Sequence, residues 1–136
     1  MSDEILWIPD FETGVEEIDL QHHYFVDLIN RLSRLLPRTE DRAYQARLLS
    51  ELIKYAQFHF VSEENIMYSI GYEGLEQHKN LHFDLLNILN AKIGMFQQDM
   101  AEADEVIGFL REWFVMHTLA EDKKVSALLK SRTDVV

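Results

Sequence analysis

The chain has 136 residues, a size that suits one domain around one good core, and its 47% hydrophobic and 11% aromatic content is that of a globular protein. A net charge of −11 repels nucleic acid and anionic membrane surfaces, and the lack of cysteine excludes disulfides, iron–sulfur clusters and thiolate metal sites. No apolar run approaches the ~20 residues that span a bilayer, and "MSDEILWIPD" carries acids where a secretory leader has lysine or arginine, so the expected location is cytoplasmic.

In chain order, residues 1–14, with Trp7, Pro9 and Phe11, read as an arm that lays apolar side chains on the outside of the domain. Val15, Ile18, Phe25, Leu28, Ile29, Leu32, Leu35 and Leu36 recur at helical spacing and predict a first helix from about Val15 to Leu36. Thr13 and Glu16 have the form of a capping box, and Pro37 ends the block. A second helix is predicted from about Glu40 to Ile70, with Thr39 as cap and Gly71 as stop. Leu48, Leu49, Leu52, Ile53, Ala56, Phe60, Ile66 and Met67 line one side of it. The third begins near Gly74 and reaches about Gln98 through Leu75, Leu81, Leu85, Ile88 and Leu89. The fourth runs from about Glu102 to Lys130, with acids in its first turn and Lys130 in its last, as the helix dipole favours.

Only 5 glycines and 2 prolines punctuate the chain, so the connections are short. Four long helices with short links predict an all-α, antiparallel up-down-up-down four-helix bundle over residues 15–130, with the arm completing a single domain over 1–136. Strict alternation is absent over any useful length, which argues against strands.

Five of the 6 histidines fall inside the apolar stripes. His22 lies four after Ile18 and three before Phe25. His59 is three after Ala56, His78 and His82 are three and seven after Leu75, and His117 follows Trp113 by four. His23 is turned ~100° from its neighbour and faces outward. Glu63 is four after His59, one turn along on the same face. Asp122 is five after His117, ~140° off that face in a regular helix, so either a local π-type widening or a reach around the helix surface brings it in.

A lone histidine on an apolar face is ordinarily a hydrogen-bonded core residue, and Asp122 beside Glu121, Lys123 and Lys124 reads alone as solvated surface. Convergence alters that reading. Five imidazoles and two carboxylates left uncompensated in one core would cost several kcal/mol in desolvation and missing hydrogen bonds, more than a marginally stable domain absorbs. A bound metal makes each of them a bonded group. Seven donors exceed the needs of one ion and suit two. If both carboxylates bridge, a further bridging oxygen leaves one coordination position open, on the ion with fewer histidines, where a small diatomic ligand would bind. Imidazole and carboxylate without thiolate suit iron, with zinc, manganese and nickel as competitors.

The segments "IDLQHHYF", "HFVSEENIM", "HKNLH" and "HTLAED", one per helix, resemble the signature of the hemerythrin family: H, HxxxE, HxxxH and HxxxxD. The acidic chain and its "LWIPDFETGVEEID" lead-in resemble bacterial members. The resemblance implies one iron held by His78, His82 and His117 and a second by His22 and His59. Glu63 and Asp122 would bridge them together with an oxo or hydroxo group, and O₂ would bind reversibly at the two-histidine iron. His23 lies outside that signature.

Physical reasoning agrees with binding rather than oxygenation. Carboxylate-rich di-iron enzymes use paired Glu-x-x-His motifs, and none occurs here. The imidazole-rich set supplies less anionic charge and should disfavour high-valent iron, so the chain is not expected to be an enzyme. Phe25 stands one turn after His22, Met67 one turn after Glu63, and Trp113 and Phe114 one turn before His117. All four are core residues by spacing, and together they would form a dry wall around bound O₂. The imidazole nitrogens facing away from the metals need acceptors, which the spacing does not name. The expected role is O₂ storage or delivery, with an oxygen-consuming enzyme as recipient. Alternatives are sensing of O₂, NO or oxidation state in a signalling protein, and peroxidase-type or NO-processing catalysis. NO and small anions are further candidate ligands.

Overall fold

The computed structural model describes residues 4–133, without the side chains of 129–133. The first three residues of the arm and the expected role of Lys130 in the last helical turn therefore lie outside the described residues. Helix α1 spans Glu16–Leu35, α2 Arg42–Ser69, α3 Leu75–Gln97 and α4 Ala103–His117. A π-helical turn, Thr118–Asp122, then leads without a break into α5, Lys123–Thr133. Helix α1 packs on α2 and α4, and α3 packs on the same two helices from the other side, which closes the antiparallel four-helix bundle. Among the described residues no strand occurs, and no helix is long and apolar enough to cross a membrane.

Helix ends follow local chemistry, with corrections to the sequence-based expectations. Thr13 does not form a capping box with Glu16. Instead Asp19 reaches back: its Oδ1 accepts from the Thr13 backbone N–H (2.8 Å) and hydroxyl (2.7 Å), and its Oδ2 accepts from the Gly14 N–H (3.0 Å). Gly14 has φ 82°, the left-handed conformation this turn requires. Thr39 does not cap α2; Asp41 does, accepting from the N–H groups of Ala43 and Tyr44. At the other end Gly71, with φ 67°, completes a Schellman stop, in which Tyr72 N–H bonds Met67 C=O and Gly71 N–H bonds Tyr68 C=O.

The core runs along the bundle axis through Phe25, Leu28, Ile29, Leu32, Leu49, Leu52, Leu85, Leu89, Ile107 and Leu110. Ile88, expected on the inner face of α3, is 44% exposed. Its inward neighbours Leu85 and Leu89 already fill the i, i+4 positions, and Ile88 lies at the margin of that stripe. The arm is more deeply engaged than an external strap. Phe11 is buried against Phe114, with ring centroids 6.0 Å apart, because a 3₁₀ turn at Pro9–Phe11 swings it inward. Ile5 is also buried, and Asn30 holds its backbone from both sides (N–H to Oδ1, 2.8 Å; Nδ2 to C=O, 2.9 Å). Ser126 in α5 donates to the Thr13 carbonyl and ties the arm to the last helix.

Candidate metal centre

Each helix of the bundle delivers donors to one buried point. Helix α1 brings His22, α2 brings His59 and Glu63, α3 brings His78 and His82, and α4 with its π turn brings His117 and Asp122. All seven are buried, the most accessible being His117 at 7%. Helical periodicity turns six of them inward. The seventh depends on the π turn, the first of the two expected routes, which carries Asp122 Oδ1 to 3.1 Å from His117 Nε2.

The donors sort into two groups. One atom each from Glu63, His78, His82 and His117 lie within 4.8 Å of one another, and so do atoms from His22, His59 and Glu63. Glu63 belongs to both, and its oxygens are divided. Oε1 is 2.9 Å from His78 Nε2 and 3.4 Å from His82 Nε2, while Oε2 is 3.5 Å from His22 Nε2 and 3.4 Å from His59 Nε2. Asp122 divides in the same way, with Oδ1 toward His78 (3.3 Å) and His117 (3.1 Å) and Oδ2 toward His22 (3.0 Å). Each carboxylate thus turns one oxygen to each histidine group.

Charge in this pocket is strongly coupled. Burial opposes protonation of His22 and His78, but the adjacent carboxylates of Asp122 and Glu63 outweigh it and raise both imidazoles to about 9. Burial would raise Glu63, yet the four surrounding imidazoles hold it well below the usual carboxylate range. For Asp122, burial and the neighbouring Glu63 charge push upward, and His117, His22 and His78 bring it below its ordinary value.

The hydrogen bonding left over favours a cation. Glu63 Oε2, both oxygens of Asp122 and His82 Nε2 are buried without a hydrogen bond, although imidazole nitrogens stand near all three oxygens. Lone pairs orphaned in a dry core are costly, and four of them converging here match the donor set of a metal centre. The donor set fits iron.

Two residues that periodicity did not reveal complete the surroundings. His59 Nδ1 donates to Gln21 Oε1 (2.8 Å), and His82 Nδ1 donates to Glu64 Oε2 (2.8 Å). Each sits next to a donor in sequence, one step off the inward face, and reaches across to the following helix. Adjacency to an inward donor was the available signal. Of the expected wall, Phe114 and Phe25 meet at the His22 and His59 side: Phe114 is edge-on to His22 (5.4 Å) and to Phe25 (5.6 Å), and Phe25 is edge-on to His59 (5.8 Å). Met67 is fully buried in α2. Trp113 instead stacks on His117 at 4.2 Å, in the three-histidine group. His23 is half exposed, stacked on Trp7 at 3.6 Å and outside the cluster.

A four-helix bundle whose interior gathers seven buried imidazole and carboxylate side chains into two adjoining groups has the form of a cation-binding bundle. Residues 13–129 match the family described as "Hemerythrin HHE cation binding domain". The chain is 31% identical to a bacteriohemerythrin of Pseudomonas aeruginosa (strain LESB58) over 97% of its own length and 86% of the relative's. It is 29% identical to a myohemerythrin of Theromyzon tessulatum, over 90% and 92%. A crystal structure of wild-type hemerythrin superposes with a TM-score of 0.83 at 31% identity, covering 92% of this chain and 97% of that one. The chain belongs to the hemerythrin family.

Proposed function

We propose that the chain is a non-heme di-iron protein that binds O₂ reversibly and acts as a carrier or store rather than as a catalyst. The observation that carries this reading is the divided carboxylates: Glu63 and Asp122 each offer one oxygen to the group of His78, His82 and His117 and the other to the group of His22 and His59. In this assignment His78, His82 and His117 would hold one iron and His22 and His59 the other, with Glu63 and Asp122 serving both.

A ferrous pair, when bound there, would supply the reversible exchange of electrons that O₂ binding requires. The protein's own side chains do the rest. Glu63 and Asp122 balance cationic charge that the bundle interior would otherwise exclude. Gln21 and Glu64 accept the Nδ1 protons of His59 and His82, which fixes their tautomers and leaves Nε2 directed inward. Phe25 and Phe114 close the two-histidine side with edge-on rings and keep water from the ligand position. The imidazole-rich set favours exchange of the gas over its cleavage, and an oxygen-consuming enzyme is the natural recipient.

The test is metal content together with spectroscopy. The protein should hold about two irons per chain, and its anaerobic ferrous form should develop an absorption band in air that disappears under vacuum over repeated cycles. Irreversible bleaching, or turnover of an added peroxide, would replace the carrier reading with a catalytic one.

A further inference from the structure

One histidine of each group is held from outside, and the two acceptors differ in charge. His59, in the two-histidine group, donates its Nδ1 proton to a neutral amide oxygen, Gln21 Oε1, and His82, in the three-histidine group, donates its own to a carboxylate oxygen, Glu64 Oε2, both at 2.8 Å. The Gln21 amide is oriented by its surroundings. Its Nε2 donates to Ser62 Oγ (2.8 Å), and Tyr55 Oη donates to its backbone carbonyl (2.9 Å), so its oxygen is the atom left for His59. The His82 ring is held independently by Phe60, which stacks on it at 4.0 Å with planes 9° apart.

Because Phe60 already sets the plane of His82, what Glu64 adds is chiefly charge. An ionised acceptor draws the Nδ1 proton toward itself and leaves more electron density on Nε2, the nitrogen that faces the centre. His59 receives no such increment from an amide.

We propose that Glu64 is a positioning residue that makes the two metal positions unequal. Acting through His82, it gives the three-histidine position the higher metal affinity and the greater preference for the ferric state, while Gln21 keeps the two-histidine position weaker and easier to reduce. The inequality suits a centre in which one ion stays fully ligated and the other exchanges a ligand. This inference rests on the two-ion reading above.

The experiment is a competition titration of the metal-free protein with Co²⁺, followed by its visible absorption, on the wild type, Glu64→Gln and Gln21→Glu. Wild type should take up the ion in two resolved stages. Glu64→Gln keeps a hydrogen-bond acceptor for His82 but removes its charge, and should weaken one stage by roughly 10–100-fold while leaving the other within about twofold. Gln21→Glu should tighten the other stage and bring the two together. In the iron-loaded protein, Glu64→Gln should raise the midpoint potential of one iron only, a shift that loss of a merely structural contact would not confine to one ion. Equal weakening of both stages by Glu64→Gln, or no weakening, would overturn the proposal while leaving the two-ion reading intact. Uptake of fewer than two equivalents by the wild type would overturn both. Gln21→Glu tests the same idea with opposite sign should Glu64→Gln fold poorly.

Discussion

Asp122 Oδ1 stands 3.1 Å from His117 Nε2, although His117 precedes it by five positions in the chain. In a regular helix that spacing points two side chains ~140° apart. The π turn Thr118–Asp122 inserts the extra residue that brings Asp122 back onto the inward face, and wide turns of this kind recur at functional sites. Replacing the residue itself, Asp122→Ala, would remove that carboxylate from the pocket while leaving the helical backbone around it in place. The expected outcome is a protein that stays helical by circular dichroism but holds fewer than two irons. Full iron content in that variant would show that Asp122 is dispensable as a donor.

Phe114 is the residue through which the arm, the core and the two-histidine group all touch, since its ring meets Phe11, Phe25 and His22. Phe114→Ala should cost about 3–5 kcal/mol as a buried cavity and should speed autoxidation of the oxygenated protein by opening the site to water. Phe114→Leu should recover most of the stability. The decay of the oxygenated band measures the effect on autoxidation, and urea unfolding the effect on stability. An unchanged decay rate in Phe114→Ala would remove its role in excluding water.

Stability of the metal-free protein should depend on pH in a way the metal abolishes. His22 and His78 are raised from 6.5 to about 9 on folding, so their contribution is complete below about pH 6.5 and disappears as pH rises through 9. Glu63 and Asp122 are lowered from 4.5 and 3.8, so theirs is complete above about 4.5 and is lost on acidification. The cluster therefore contributes most between about pH 4.5 and 6.5. Iron binding requires neutral imidazoles, so loading should release protons at neutral pH and remove the alkaline decline. Urea midpoints across this range, with and without metal, check both limbs.

Asp19 gathers three donors from Thr13 and Gly14 and anchors the arm to α1; its carboxyl lies below the ordinary value, because these hydrogen bonds outweigh the opposing effect of burial. Asp19→Ala should destabilise the protein by roughly 1–3 kcal/mol and, by loosening the segment that carries Phe11, also accelerate autoxidation. A stability loss without change in autoxidation would confine Asp19 to a structural part.

Much of the bundle and its centre was legible in the residues themselves. The four helices and the inward face of His22, His59, Glu63, His78, His82 and His117 follow from apolar spacing, since the helical period fixes where a side chain points relative to its own axis. Asp122 is legible as a candidate donor from its motif, but of the two routes that could bring it inward only the structure selects the π turn. Local ends were less so. Thr13 and Thr39 have the right chemistry for caps, but Asp19 and Asp41 reach the free N–H groups instead, and Ile88 shows that the edge of an apolar stripe can lie outside the core.

Sequence alone determined the four-helix bundle and the inward face of six of the seven clustered side chains, because both are written in one-dimensional periodicity. Only the tertiary structure decided that Glu63 and Asp122 split their oxygens between two histidine groups, that Gln21 serves His59 while Glu64 serves His82, and that Phe11 belongs to the core. Those pairings join different helices, or the arm to a helix. They depend on how neighbouring axes pack and how far each side chain reaches, which no period along a single chain segment encodes.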